Sequence, residues 1–220
     1  MKKAFLDTNI LLTNAFFLNS LYLKSQIVFD EYDEIYWSNF VKYEFNRRYF
    51  IKQNHMKSFF NDLQKYLENP EKELYSIFDL KNFTWDNYSG KFMKDAESSI
   101  SPFWNKYVGI ETQIPFFDIK NAIVCCLNDL SITSNKYKNK LKQSIILTPK
   151  RTKSYSHIDK MLENEGVNTA DRKVTLDGHD FACFSSDPVD FVTFDWGCFK
   201  GAKNIEILCF GSIKGKFDFN

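Results

Sequence analysis

At 220 residues and 44% hydrophobic content the chain is long enough for one substantial core, or for one core carrying a large insertion, and its 23 Phe and 11 Tyr require much of that core to be built from rings. Lys plus Arg (29) nearly balances Asp plus Glu (28), which excludes a global basic field and leaves any nucleic-acid contact to local charge. Only Ala4-Phe5-Leu6 separates Met1-Lys2-Lys3 from Asp7, too short for a signal-peptide core, and no run approaches the roughly 18 apolar residues of a membrane span, so a soluble, cytoplasmic protein with no membrane partner is expected.

Lys3-Ala-Phe-Leu-Asp7 is a short apolar run ending on an acid, and an amphipathic segment from Asn9 to about Leu23 follows it: strand, then helix. Glu34-Ile-Tyr-Trp37 is a second strand candidate. Ser38-Asn39 then cap a helical run through Phe40, Val41, Glu44 and Phe45 to Leu67, which Asn69-Pro70 stops. From Glu71 to about Pro115 the pattern is weak, and residues 70–170 read as a helical and loop insertion within a single domain spanning 1–220. A helix is predicted over Asp118 to Leu130, a strand at Ser144-Ile-Ile-Leu147, and a helix over Ser156 to Glu165 closed by Gly166.

The last third repeats the theme. A short helix around Asp177 to Phe184 leads into Asp190-Phe-Val-Thr-Phe-Asp195, a strand ending on an acid, and Ile205-Glu-Ile-Leu-Cys-Phe210 reads as a final strand. Alternating strands and helices predict an α/β fold, three layers (α/β/α) around a central, mainly parallel sheet.

Ligands gather at the carboxyl ends of strands in such sheets, and Asp7 and Asp195 both occupy that position. An acid there also serves as an ordinary helix cap. The five cysteines (Cys125, Cys126, Cys183, Cys198, Cys209) contain no C-x-x-C pair and read as buried thiols in a reducing compartment. His55, His157 and His179 form no zinc-type spacing, and glycine-rich nucleotide-binding motifs are absent.

Asp7-Thr8-Asn9-Ile10-Leu11 resembles the opening motif of PIN-domain nucleases, and the further acids of that family have counterparts in order along the chain. Ser38-Asn-Phe-Val-Lys-Tyr-Glu44 supplies a Glu in the helix after the second strand. Leu176-Asp177-Gly-His-Asp180 supplies an Asp on a helix before the final motif, and Phe191-Val-Thr-Phe-Asp195-Trp-Gly supplies the last acid with Thr193 two residues ahead. The resemblance covers residues 1–50 and about 170–210.

It implies a PIN-like fold and a metal-dependent phosphodiester hydrolase, an endoribonuclease leaving a 5′-phosphate and a 3′-hydroxyl, with catalytic Asp7, Glu44, Asp177 and Asp195. Asp180 is either a fourth ligand or the true third acid, and Asp118 is a rival for that place. The all-oxygen set implies Mg2+ or Mn2+. Thr8, Asn9 and Thr193 would orient the ligands. Lys136, Lys138, Lys140 and Lys142, with Lys150, Arg151 and Lys153, are the candidate phosphate contacts, Tyr137 among them is a candidate for base stacking, and Lys42, Arg47 and Arg48 near Glu44 are candidates to line the groove. RNA is the implied partner. A toxin version adds a protein inhibitor or antitoxin, and a homodimer stays open. The competing readings are a DNA- or structure-specific nuclease and a non-catalytic PIN-like module that binds RNA or protein.

Overall fold

A computed structural model describes residues 1–69, 72, 74–109 and 116–219, with only the backbone described at 116–118. The chain divides into two compact units. One comprises Met1–Asn14, Leu23–Arg47 and Lys140–Asn220; the other comprises Ala15–Tyr22 and Arg48–Asn139.

The first unit is mixed α/β. It holds five strands, β1 (Lys3–Leu6), β2 (Glu34–Trp37), β3 (Ile146–Leu147), β4 (Val189–Val192) and β5 (Ile213–Lys214). They form one sheet in the order β3-β2-β1-β4-β5, with every neighbouring pair parallel. Parallel sheets are stable when both faces are covered, and the side chains of one row show how this is met. The register aligns Tyr36, Phe5 and Phe191 across β2, β1 and β4. Helix α8 (Thr169–Phe184) lies over that row. Its Phe181 ring sits 4.5 Å from Tyr36, and its Gly178 lies so close to Phe5 that a Cβ there would meet the ring at 2.8 Å. Trp37, on the opposite face by strand alternation, meets Phe45 of α3 (Asn39–Tyr66) at 6.0 Å.

The first expected helix, from Asn9 to about Leu23, ends early as α1 (Thr8–Ala15), and a helix that was not expected, α2 (Tyr22–Glu31), follows it. Asn19 makes the break, its side-chain oxygen accepting from the Leu21 amide in a local turn that competes with continued helix. The final strand also falls elsewhere than the sequence suggests. Residues 205–210 form no strand: Ile205, Leu208 and Phe210 pack elsewhere, while Ile207 stays exposed. Ile205 joins Ile158, Leu162, Val167 and Leu176 in one buried cluster, and Phe210 stacks on Phe191 at 5.0 Å. The pairing edge of β4 is taken instead by β5. Helices α7 (Ser156–Asn164) and α9 (Trp196–Lys203) complete this unit.

The second unit is helical. It takes the later part of α3, then α4 (Ile77–Asn87), α5 (Gly90–Phe103), a π-helical turn at Trp104–Val108, and most of α6 (Phe116–Ser144). A capping box of Ser76 and Asp79 opens α4. Rings build the core here: Phe59 packs on Phe60 and Phe83, and Phe60 on Phe103. The helix read over 118–130 runs much longer, through Ser144. Residues 140–170 belong to the α/β unit. Among the described residues no helix is long and apolar enough to cross a membrane.

Candidate active site

Reading the strand order from β1 outward, the chain first builds β2 and β3 on one side and later β4 and β5 on the other, so β1 and β4 flank the topological switch point. Crevices that receive ligands form outside the carboxyl ends of the strands at that place. Asp7 directly follows β1. Thr193 directly follows β4, and Asp195 caps α9 two residues later, its carboxylate accepting from the Cys198 amide at 2.8 Å.

Hydrogen bonds lock the two strand ends together. Asp7 Oδ2 accepts from Asn9 Nδ2 at 2.6 Å and from the Thr193 hydroxyl at 2.8 Å. Thr193 Oγ1 in turn accepts from the Asp195 amide at 3.1 Å, while Asn9 Oδ1 accepts from the Phe194 amide at 3.0 Å. Thr8, fully buried, donates its hydroxyl to Glu44 Oε2 at 2.6 Å and so fixes the acid of α3. Thr8, Asn9 and Thr193 therefore each hold an acid in place.

The electrostatics reveal which acids share the site. Burial pushes the Asp7 carboxyl up to about 7, and the negative charges of Asp171 and Glu44 push the same way, against hydrogen bonds from Thr193 and the Thr8 amide. Cys198 is a second reporter. Burial raises its thiol well above the usual range, and Asp7, Asp171 and Asp195 each add to the rise. Asp171 and Glu44 thus act on Asp7, and Asp7, Asp171 and Asp195 act on Cys198. Like charges that act on one buried carboxyl are unfavourable, and a cation near them would offset that cost.

Asp171 is absent from the sequence expectation, and the reason is a helix boundary. The helix before the last motif was expected to open at Asp177, yet α8 begins at Thr169, capped by Asn168. The Asn168 side-chain oxygen accepts from the Ala170 and Asp171 amides, and its Nδ2 donates to the Asp171 carboxylate. Asp171, in the first turn, is thus the Asp that opens the helix. Asn168 as an N-cap was the signal that would have found it.

Asp177 and Asp180 lie further along α8 with other partners. Asp177 is raised by burial, against a hydrogen bond from Ser38 and the positive charge of Arg151, whose Nε lies 3.6 Å away. Asp180 is buried, and both its oxygens are engaged: Oδ2 by the Thr152 amide at 3.1 Å, Oδ1 by the Thr152 hydroxyl at 3.0 Å and the Tyr155 hydroxyl at 2.8 Å. The side chain of Asp118 falls outside the described residues.

The basic candidates are dispersed. Alternate residues on a helix point about 200° apart, so Lys136, Lys138, Lys140 and Lys142 on α6 form no single stripe. Lys138 is buried, its ammonium 4.3 Å from the Tyr49 ring centre and 3.9 Å from that of Phe50, while the other three are exposed. The Tyr137 ring lies 5.8 Å from Tyr22. Lys42 reaches over Trp37, and Arg47 is exposed on α3 one turn from Glu44; Arg48, half-buried, opens the part of α3 assigned to the helical unit.

The cysteines depart from the expectation of reduced, buried thiols. Cys183 and Cys209, both exposed, are joined in a disulfide with Cα atoms 5.3 Å apart; Cys126 and Cys198 are buried and free, and Cys125 is exposed and free. His179 is the third member of the one His/Cys/Asp/Glu trio among the described residues whose ligand atoms lie within 4.8 Å of one another. A disulfide offers no thiolate, and His179 Nδ1 already accepts from the Cys209 amide at 3.0 Å. Among the described residues no three of the four acids bring carboxylate oxygens within 4.8 Å of one another. Compared with family models, curated proteins and solved structures, the chain matches none.

Proposed function

We propose that this chain is a metal-dependent nuclease, most simply a PIN-like endoribonuclease, with Asp7, Glu44, Asp171 and Asp195 as its acidic centre. The observation that carries the reading is the field around Asp7: a buried carboxylate at the switch point, raised to about 7, with Asp171 and Glu44 adding their charge. Asp171 takes the third place in preference to Asp177 or Asp180, because it alone of the three is among the acids acting on Asp7 and Cys198. The order of the acids along the chain supports the same reading.

When bound, Mg2+ or Mn2+ supplies activation of water and offsets charge on the phosphate. The chain's own part is positioning. Asn9 and Thr193 both donate to Asp7 Oδ2, fixing that carboxylate, and Thr8 holds Glu44. Cys198 stays protonated and takes no nucleophilic role, since only a thiolate attacks.

The test is cleavage of end-labelled single-stranded RNA and DNA with Mn2+, comparing wild type with Asp7→Asn and Asp195→Asn. The expected result is cutting of RNA by the wild type alone. Failure of the wild type to cut either polymer, or equal cutting by the variants, would remove the reading; cutting of DNA alone would shift it to a DNA nuclease.

A further inference from the structure

Beside the ends of β2 and β3, within the α/β unit, lies an open cavity of about 460 Å³. We propose that it binds a phosphate of the nucleic-acid strand, holding a phosphodiester next to the one cut; this inference rests on the nuclease reading above.

The lining is basic. Lys150, Arg151 and Lys153 come from the loop after β3, and Asp177 is the acid among them, so the balance favours an anion. Arg151 bears the most specific mark. Its Nη1 is buried and has no hydrogen-bond partner among the described residues, although Asp177 sits 3.6 Å from Nε. That nitrogen is itself closed to solvent, so an anion in the cavity meets the charge of the guanidinium rather than this atom, and Arg151 acts with Lys150 and Lys153 as one positive field. The opening residues of α3 form the opposite wall, with Ser38, Asn39 and Phe40. Ser38 Oγ accepts from the Val41 amide, and the first amides of a helix this long have no carbonyl within the helix to serve them. This end of α3 adds to the field that the three basic side chains set up.

The basic loop is held in shape before any ligand arrives. Thr148 continues the sheet by donating its amide to Trp37 O at 2.9 Å, and Asp180 clamps Thr152 and Tyr155 from beneath. Tyr155, with φ of 51°, takes the left-handed turn that hands the loop to α7. Asp180 is accordingly a positioning residue for the loop, which lowers the ordering cost of binding. The cavity and the acidic centre share the carboxyl edge of one sheet. β2 lies between β3 and β1, so the cavity flanks the end of β1 on the side away from β4. A strand crossing that edge meets the basic pocket and the acids in succession.

The experiment measures binding of fluorescent 12-nucleotide single-stranded RNA and DNA by anisotropy in EDTA, where no cleavage occurs, across a salt series. Wild type is compared with Lys150→Ala/Lys153→Ala, whose side chains are exposed, and with Arg151→Ala and Arg151→Lys. Each variant is first checked for an unchanged circular dichroism spectrum. The double lysine variant is expected to lower the salt slope by about 0.7, the share of one phosphate contact to a single strand, and Arg151→Ala to weaken binding about tenfold at low salt with partial recovery in Arg151→Lys. Free mononucleotide and inorganic phosphate serve as competitors. Displacement of the oligonucleotide by millimolar mononucleotide but not by phosphate would reassign the cavity to a small nucleotide and overturn the backbone assignment. So would wild-type affinity and slope in the double lysine variant, or no binding of either strand by the wild type. Binding is read without metal, so intact binding with no cleavage in Mn2+ sinks the nuclease reading while leaving the pocket, and cleavage with unaltered binding in the variants does the reverse.

Discussion

The Thr193 hydroxyl donates to Asp7 Oδ2 at 2.8 Å and accepts from the Asp195 amide at 3.1 Å, so one side chain after β4 fixes both the acid after β1 and the turn that carries the next acid. A valine fills the same volume but does neither. Thr193→Val is expected to weaken Mn2+ binding about 10- to 100-fold, as loss of ligand-orienting groups does, and to cost about 1–3 kcal/mol of stability through the unsatisfied buried partner. Calorimetric titration with Mn2+ and urea unfolding in EDTA would measure the two separately. Unchanged metal affinity alongside the stability loss would reduce Thr193 to a structural link.

Asp171 and Asp177 lie six positions apart on α8 and are expected to behave differently. Asp171→Asn should bring cleavage to background at saturating substrate, because it removes an acid from the field around Asp7. Asp177→Asn should lower KM and leave kcat close to wild type, since it takes a negative charge out of the basic cavity. Steady-state kinetics on a labelled RNA distinguishes the two. The opposite pattern would restore Asp177 to the acidic centre.

The state of Asp7 sets a pH dependence. Its folded value is about 7 against an ordinary 3.8, so between those values the folded protein binds the proton that the unfolded chain has already released. Stability of the metal-free protein is therefore greatest below about pH 4 as far as this group is concerned, falls as pH rises, and levels off above about 7. The loss is on the order of a few kcal/mol. Asp7→Asn should flatten this part of the profile and unfold at higher temperature than wild type in EDTA at pH 8. Mn2+ competes with the same proton, so its stabilising effect on wild type should be larger at pH 8 than at pH 5.5. Parallel melting curves for the two proteins would sink the argument.

Cys183 at the end of α8 and Cys209 close a loop with a sequence separation of 26. By the chain-entropy estimate such a link contributes roughly 3–4 kcal/mol. Dithiothreitol, or Cys183→Ser with Cys209→Ser, should lower the urea midpoint accordingly without changing cleavage, because neither sulfur touches the acids. Mass spectrometry of the unreduced protein after thiol alkylation in denaturant would show three modified cysteines when the bridge is present and five when it is not.

What the linear order of residues determined is the alternation of short apolar strands with helices and the placing of Asp7 and Asp195 after strands β1 and β4. Those features are local: an apolar run needs only its neighbours to become a strand, and an acid at its end needs only a cap to fill. The place of Glu44 on the helix after β2 was legible for the same reason, from the cap at Ser38-Asn39 and the apolar run around it. Strand β5, the true start of α8 and the charge that acts on Asp7 were not legible. Ile205–Phe210 has the composition of a strand, and only the packing of Ile205 and Phe210 against other elements denies it a pairing edge. Asp171 reads locally as a capping acid beside Asn168, and its place near Asp7 arises from α8 crossing the sheet over Phe5. Likewise a run of lysines is one basic stretch in sequence, but α6 turns Lys138 inward onto Tyr49 and Phe50, while the loop after β3 gathers Lys150, Arg151 and Lys153 around one cavity. Periodicity and end signals are written along the chain; which carboxylates repel one another, and which cations converge, depends on distances that exist only once the sheet has ordered its strands.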